Sequence, residues 1–450
     1  MDRERDLLAD LLKVASCAGE SFQRMRARRM AECIAVRLAE EADREESITH
    51  ESRQRVLGSR RGPSLYGGQA GSAVVFRVAA QAAEAGVPWE QLCRRALSAA
   101  AAATREQPLR GIGLAGGSSG LALALTVCAE LEPGYSPSLA RLSRRLSRQI
   151  VDSPPPRGDT GSAISDYDVV SGASGALGAL LSLPADGEDH RMAIHALLDY
   201  LIWLCSSAPG LENWRISSGS AFPPVLREVF PHGYVDLGLA HGIAGPLAAL
   251  AMAWMAGYRR PGQRAAMERT VDCLLESCVR DAEGRAWPLG VGLDEHGRRR
   301  MTAAPAGRTA WCYGAPGICC ALLHASSALE DRALRAVAAE SMEAAVRRLG
   351  AEARGMSSTL CHGLAGMLSM CQRFARTSDG HRFEHAIDTL IEVLLARCEA
   401  SLPLMVQDLE ADGSTVDCPS LLLGAAGVAL ALWSVSRPIG TTWERALMIS

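Results

Sequence analysis

The sequence is poor in aromatic residues and contains no long apolar run. Aromatic residues make up 5% of its 450 residues, which argues against a terpenoid- or prenyl-transfer barrel, because that chemistry needs an aromatic-lined cavity. The longest apolar run covers residues 421–433 and is shorter than the about 20 residues that span a bilayer. Residues 1–6 are charged and no apolar segment follows, so neither a signal peptide nor a membrane span is predicted.

Net charge and cysteine content further limit the classes of protein to which this sequence can belong. The net charge is −3, so the composition does not indicate a nucleic-acid partner. Fourteen cysteines without a signal peptide predict a cytoplasmic protein with reduced thiols. We expect most of them to be small buried residues. No Cys-x-x-Cys pair is present, so the usual local signature of a structural zinc site is missing.

What the sequence does contain is a Gly-x-x-Gly motif that recurs seven times. One copy alone carries no information, but each of these seven opens a short run rich in alanine and leucine, which indicates a repeat architecture. Consecutive copies begin 49 to 72 residues apart. Their first glycines are Gly68, Gly117, Gly172, Gly242, Gly314, Gly363 and Gly424.

The runs after the motifs are apolar on nearly every face, which is typical of buried helices. Longer amphipathic segments lie between them, and residues 381–398 show the helical period most clearly. Few strand signals are present. We therefore predict an all-α fold, an α/α toroid with an inner ring of Gly-x-x-Gly helices and an outer ring of amphipathic helices. The alternative is an open solenoid of helix pairs, which the apolar inner segments disfavour. The motif glycines are expected to permit positive φ and close backbone approach.

The domain boundaries follow from the same pattern. Residues 1–55 are predicted to form a helical lead-in without chemistry of their own, and residues 56–450 one seven-repeat catalytic toroid. Long spacings before the fourth and fifth motifs hold extra loops at 217–231 and 288–306. Extra loops on one side of a repeat protein tend to frame its binding face.

The repeat also aligns residues that are far apart in the chain. Most copies carry small or apolar residues in the two positions before the first glycine, but three copies carry His241, Cys312-Tyr313 and Cys361-His362. Equivalent positions of neighbouring repeats should lie together at one end of the toroid. Two thiolates and an imidazole suit zinc. We therefore predict a Zn²⁺ site formed by Cys312, Cys361 and His362, with the fourth position open as in catalytic zinc sites.

Three charged or titratable residues near this site suggest acid–base chemistry. His241 could be a fourth ligand, but its repeat lacks the paired cysteine, so an acid/base role beside the metal is preferred. Asp168 lies four residues before Gly172 and could orient His241. Arg308 lies four residues before Cys312 and could stabilise a developing negative charge. Taken singly, each is as readily explained as a surface or helix-start charge, and each cysteine as a packing residue.

Three blocks together resemble the signature of the lanthionine synthetase C family, the lanthipeptide cyclases. They are Leu237-Gly-Leu-Ala-His-Gly-Ile-Ala-Gly245, Thr309-Ala-Trp-Cys-Tyr-Gly-Ala-Pro-Gly317 and Leu360-Cys-His-Gly-Leu-Ala-Gly366. The resemblance covers about residues 60–435. It implies an α/α toroid, zinc on Cys312, Cys361 and His362, an active-site His241, and supporting roles for Asp168, Arg308 and Tyr313. Members with a fused dehydratase are far longer, so this chain resembles the stand-alone cyclases, which act with a separate dehydratase.

The expected activity is that of a zinc-dependent, thioether-forming cyclase of the carbon–sulfur lyase class. It would add cysteine thiolates of a dehydrated precursor peptide to dehydroalanine or dehydrobutyrine, forming lanthionine or methyllanthionine rings. Two alternatives stay open at this point. One is a LanC-like enzyme that adds glutathione to dehydroamino acids, and the other is a non-catalytic scaffold of a lanthipeptide synthetase complex.

Overall fold

The computed structural model describes residues 22–42, 62–83, 86–130, 132–158, 161–184, 187–206, 212–218, 224–300, 308–410, 412–436 and 439–450. Its α-helices in chain order are α1 (Phe22–Ala42), α2 (Gln69–Ala82), α3 (Trp89–Ala103), α4 (Ser118–Ala129), α5 (Ser136–Asp152), α6 (Ile164–Tyr167), α7 (Ala173–Leu180), α8 (Gly187–Leu204), α9 (Pro224–Val229), α10 (Ala244–Met255), α11 (Gln263–Glu276), α12 (Ala315–Leu329), α13 (Arg332–Glu352), α14 (Leu364–Ala375), α15 (Glu384–Ala396) and α16 (Ala425–Ser436). Short 3-10 helices cover Pro133–Tyr135, Ala353–Gly355, Gly380–Phe383 and Thr442–Leu447.

Seven of these helices form a closed inner ring. Each begins within two residues of the first glycine of a Gly-x-x-Gly motif, and each contacts the inner helix of the next motif. The last of them, α16, contacts the first, α2. The order around the ring is α2, α4, α7, α10, α12, α14 and α16. The predicted all-helical toroid is therefore confirmed, and the open solenoid is wrong.

The outer layer consists of helices that each pack on the inner helix beside them in sequence. Helices α3, α5, α8, α11, α13 and α15 pack on α2, α4, α7, α10, α12 and α14 respectively. The inner helix α16 receives its outer partner from the other end of the described chain, because α1 packs against it. In the predicted lead-in, residues 1–21 and 43–55 lie outside the described residues. The described part, α1, thus completes the outer ring.

The sequence patterns account for the two layers. In α10 every residue from Ala244 to Ala253 is buried, as an apolar helix without a polar face requires. In α15 the buried residues follow the helical period and the remaining positions face outward. Burying one leucine side chain stabilises the fold by about 1.5–3 kcal/mol, so these stripes supply the driving force for ring assembly. The buried residues of α15 are Ala386, Ile387, Leu390, Ile391, Leu394 and Leu395.

The motif glycines serve close packing more than unusual torsion angles. Of the first glycines whose φ is given, only Gly314 has a positive value, +98°, so the expected freedom to adopt positive φ is used there, and the other motifs depend on close backbone approach. The second glycine has a shared role, because a Cβ there would collide with the carbonyl oxygen of the residue six positions earlier. That separation is 2.1 Å for Gly317 and Trp311, and 2.1 Å for Gly366 and Leu360.

Six short strands form three antiparallel pairs on the loops between helices. They are β1 (Tyr234–Asp236), β2 (Val279–Arg280), β3 (Arg285–Ala286), β4 (Gly290–Gly292), β5 (Asp408–Leu409) and β6 (Thr415–Val416). They pair as β1 with β4, β2 with β3, and β5 with β6. Strand β4 lies within the predicted extra loop 288–306, and β1 begins three residues after the predicted extra loop 217–231. Residues 219–223 and 301–306 of these loops lie outside the described residues.

The centre of the ring is filled by residues 442–449. This segment contacts α4 and α7, and its carbonyl oxygens accept hydrogen bonds from side chains that precede two other inner helices. Tyr66 Oη donates to Ala446 O at 2.6 Å, and Trp311 Nε1 donates to Leu447 O at 2.7 Å. The toroid is therefore a packed body. Among its described helices, none combines the length and apolar character needed to cross a membrane.

Candidate active site

The loops that precede the inner helices are linked to one another around the ring by hydrogen bonds. The linking residues lie two positions before the first glycine of each motif, or close to that position. The contacts include Cys312 N to Cys361 O at 3.2 Å, Ala240 N to Cys312 O at 3.3 Å and Cys361 N to Leu422 O at 3.1 Å. The circuit continues through Leu422 N to Tyr66 O at 3.3 Å, Ser64 Oγ to Ala115 O, Ala115 N to Val170 O at 2.9 Å and Val169 N to Ala240 O at 3.0 Å.

This circuit explains why distant residues meet. The residue after each linking position is at the same end of the toroid, just before the N-terminus of an inner helix. His241, Tyr313 and His362 therefore lie on three neighbouring loops, together with Cys312 and Cys361. Helix N-termini carry a partial positive charge, so this end of the ring favours anions such as thiolates.

The thiols of Cys312 and Cys361 are close enough to change each other's pKa in opposite directions. The interaction with the Cys361 thiol and the positive charges of His362, His241 and Arg308 together lower the pKa of Cys312 to about 7, against the opposing effect of burial. The pKa of Cys361 is correspondingly raised. The pair therefore releases its first proton more readily than an isolated thiol does, and a cation or an electrophile can take the place of that proton on the sulfur.

His241 is held by a buried carboxylate. Its Nδ1 lies 2.7 Å from Asp168 Oδ2, and Asp168 is 2% exposed. The other carboxylate oxygen accepts hydrogen bonds from the backbone N–H groups of Ser171 and Gly172 at 2.6 and 2.8 Å. Burial alone lowers the pKa of His241, but the hydrogen bond and charge of Asp168 outweigh it, and the pKa is raised. The imidazole is therefore stabilised as a cation with Nδ1–H directed at Asp168.

A second buried carboxylate, Asp236, was not identified from the sequence. It ends strand β1, and its side chain accepts hydrogen bonds from Tyr313 Oη at 3.1 Å and from Gly238 N at 2.9 Å. Burial raises the pKa of Asp236 to about 6, although the charge of His241 opposes the rise. The Tyr313 and His241 rings are 6.1 Å apart between centroids. Asp236 lies six residues before its motif glycine, whereas Asp168 lies four residues before its own. The two carboxylates therefore occupy different repeat positions, and the repeat alignment does not point to Asp236.

Asp408, in strand β5, was also not identified. Its Oδ1 lies 3.5 Å from His362 Nε2 and accepts a hydrogen bond from the Ser357 hydroxyl. The side chain of Asp408 is fully buried, and that of His362 is 22% exposed. The only sequence signal is an acidic residue shortly after the apolar run 402–406, which is too common to single out a site.

The predicted metal ligands are gathered only in part. The backbone N–H of Cys312 donates to the carbonyl oxygen of Cys361 at 3.2 Å, and His362 follows Cys361 directly in the chain. Even so, no three His, Cys, Asp or Glu side chains of the described residues lie in positions that could hold a metal ion together. The donor set itself, two thiols and an imidazole beside each other, suits zinc. The imidazole of His362 would complete the set by approaching the two sulfurs.

Arg308 begins the loop that carries Cys312. Its side chain is exposed, and its positive charge lowers the pKa of both Cys312 and Cys361. The predicted cationic residue is therefore close enough to act on the thiol pair. It directly follows residues 301–307, which are outside the described residues.

Comparisons with known proteins concern the family and the fold of this chain. The family model of lanthionine synthetase C-like proteins matches residues 59–448. Nisin biosynthesis protein NisC from Lactococcus lactis subsp. lactis is 27% identical over 336 residues, which are 74% of this chain and 76% of that protein. The solved structure of a nisin cyclase superposes with a TM-score of 0.71 at 23% identity, covering 89% of this chain and 95% of the other. At 23% identity the structural match supports the fold alone.

Proposed function

Because this chain belongs to the lanthionine synthetase C-like family, we propose that it is a zinc-dependent lanthipeptide cyclase. It adds cysteine thiolates of a dehydrated precursor peptide to dehydroalanine or dehydrobutyrine and forms lanthionine or methyllanthionine rings. The observation that carries the proposal is the position of the Asp168–His241 pair, one loop away from the Cys312–Cys361 pair. A proton donor and a thiol-rich cation site side by side are what thioether formation requires.

The zinc ligands in this proposal are Cys312, Cys361 and His362. Zinc bound there would supply the Lewis acidity needed to keep an incoming peptide cysteine deprotonated at neutral pH, where a free thiol of pKa about 8.5 is mostly protonated. The N-termini of α12 and α14 and the charge of Arg308 add positive potential at the same place. The two cysteines, as thiolates, would balance the charge of the divalent ion.

The other residues provide the proton that the addition needs and stabilise the charge that develops. When the thiolate sulfur bonds to the β-carbon, the electron pair of the double bond moves toward the carbonyl oxygen and forms an enolate. His241 then gives a proton to the α-carbon, because Asp168 keeps its ring protonated and oriented. Arg308 stabilises the negative oxygen, and Tyr313, held by Asp236, lies beside His241. The thiol loses a proton and the α-carbon gains one, so the peptide mass does not change.

The partners follow from this chemistry. The substrate must arrive already dehydrated, so we propose that a separate dehydratase acts before this protein, and that both work in the cytoplasm. Nisin biosynthesis protein NisC, the relative reported above, is named for a peptide biosynthesis pathway, which supports a peptide substrate.

The proposal is tested by incubating the purified protein with a dehydrated cysteine-containing peptide and measuring free thiols by alkylation and mass spectrometry. We expect thiols to disappear without a change in peptide mass, and we expect Cys361→Ala and His241→Asn to abolish this activity. Glutathione is included in a parallel reaction. A mass increase by glutathione with no ring closure would support the glutathione-adding alternative, and rings formed equally well by Cys361→Ala would leave only a scaffold role.

A further inference from the structure

A buried carboxylate lies behind His362, on the side of the ring that carries Nε2. Asp408 Oδ1 is 3.5 Å from His362 Nε2, and the carboxylate is fully buried in the short hairpin formed by β5 and β6. Ionised carboxylates are rarely buried unless paired or hydrogen-bonded. Asp408 lies beside His362, a proposed metal ligand, and not beside the residues proposed to act on the substrate. We therefore expect it to act on the imidazole of His362.

The surroundings of Asp408 hold it in place. The Ser357 hydroxyl donates a hydrogen bond to Oδ1 of Asp408, and the same Ser357 Oγ accepts one from Thr359 N at 3.1 Å. Ser357 and Thr359 belong to the loop that carries Cys361 and His362. The carboxylate is thus tied to the loop that bears two of the three proposed ligands, while its own backbone comes from a hairpin 46 residues further along the chain.

The pairing has a consequence for the tautomer of His362. A neutral imidazole has one N–H and one nitrogen with a free lone pair, and a carboxylate next to Nε2 favours the proton on Nε2. Nδ1 then carries the lone pair. Metal-binding histidines commonly direct their second ring nitrogen at a carboxylate, which orients the ring and raises its basicity. The 3.5 Å separation is an ion-pair distance, longer than a well-formed N–H···O hydrogen bond of about 2.9 Å.

We propose that Asp408 is the positioning residue for His362, that it keeps Nε2 protonated, and that His362 therefore binds zinc through Nδ1. The inference rests on the proposed function, because it needs zinc at Cys312, Cys361 and His362. It adds a residue that no motif marks and assigns the nitrogen that coordinates the ion. It also implies that the hairpin β5–β6 is part of the metal centre although it provides no ligand.

The test compares zinc binding by the full chain and by Asp408→Asn. Affinity is measured by competition between the protein and a chromophoric zinc chelator. Removing such an outer partner typically weakens metal binding by 10–100-fold, and we expect about that loss for Asp408→Asn. Asp412→Asn is the matched control, because Asp412 is an exposed carboxylate in the same hairpin whose side chain contacts Ser414. It should bind zinc as the unsubstituted protein does.

Two further measurements keep the test decisive if Asp408→Asn folds poorly. Ser357→Ala retains the carboxylate but removes its hydrogen-bond donor, and a smaller loss of zinc affinity is expected. Long-range ¹H–¹⁵N spectra of the histidine-labelled protein, assigned with His362→Asn, should show His362 protonated at Nε2 and coordinated at Nδ1. Coordination through Nε2, or unchanged affinity in a folded Asp408→Asn, overturns the inference.

The outcomes also separate this inference from the proposed function. If the unsubstituted protein binds zinc and forms thioether rings while a folded Asp408→Asn binds zinc equally well, only the role of Asp408 is lost. If the unsubstituted protein binds no zinc, the proposed function and this inference fail together.

Discussion

Replacing Asp168 by asparagine tests the proposed proton donor with almost no change in side-chain volume. The backbone N–H groups of Ser171 and Gly172 hold Oδ1 of Asp168, so the asparagine carbonyl should occupy that position. Its NH₂ group would then face Nδ1 of His241. Because the NH₂ group only donates, Nδ1 must become an acceptor, and the cationic ring with Nδ1–H is no longer stabilised.

The size of the effect follows from the hydrogen bond that is lost. A hydrogen bond to a charged group contributes about 1.5–3 kcal/mol. Since 35% of the His241 side chain is exposed, water screens the pair and the lower part of that range, about 1.5–2 kcal/mol, applies. Each 1.36 kcal/mol corresponds to a factor of ten in rate. We therefore expect kcat for ring closure to fall about 10- to 30-fold.

The assay is the rate of thiol loss from a dehydrated peptide between pH 5.5 and 9, with zinc content measured for each sample. The raised pKa of His241 keeps the donor protonated toward higher pH, so activity should fall as pH rises through that pKa. In Asp168→Asn this alkaline decrease should begin at lower pH. Asp166→Asn, a partly exposed carboxylate two residues away, is the control. Equal rates and equal pH profiles for Asp168→Asn and the unsubstituted protein, with equal zinc, would refute the assignment of His241 as an acid positioned by Asp168.

Four other changes have directions that the structure determines. Asp236→Asn should gain stability relative to the unsubstituted protein as pH rises from 4 to 7, because burial raises the pKa of Asp236 from 3.8 to about 6. In the unsubstituted protein, ionising the buried Asp236 lowers the free energy of unfolding by nothing below pH 3.8 and by roughly 3 kcal/mol above pH 6. Urea unfolding of both proteins at several pH values measures this change, and a stability difference that does not vary with pH would contradict it. Tyr313→Phe removes a donor to that buried carboxylate and should lower the free energy of unfolding at pH 7 by about 1–3 kcal/mol, measured by urea unfolding. Arg308→Ala should reduce kcat about 100-fold without loss of zinc, the lower end of the range for removing one oxyanion donor, because the Arg308 side chain is exposed; an unchanged kcat would exclude its role at the enolate oxygen. Trp311→Phe leaves the Leu447 carbonyl without its indole donor and should cost about 1–3 kcal/mol in thermal or urea unfolding.

The repeat pattern in the sequence was enough to predict the helical toroid and the order of its elements. Seven apolar runs that begin after Gly-x-x-Gly can bury all their faces only inside a second layer, and the amphipathic segments supply that layer. The same register predicts that His241, Cys312 and Cys361 are neighbours, because equivalent positions of adjacent repeats are joined by backbone hydrogen bonds. Their proposed roles in zinc binding and proton transfer stay predictions until the experiments above are done.

Several features were decided only by the tertiary structure. Helix α1 completes the outer ring against α16, and residues 442–449 fill the centre, although neither segment carries the repeat. The carboxylates Asp236 and Asp408 enter the site on short strands at unrelated distances from their motif glycines. A repeat constrains only residues that recur at its own period, whereas these contacts join segments that share no period. Their positions depend on how the whole ring packs, and that information is not local to any stretch of the chain.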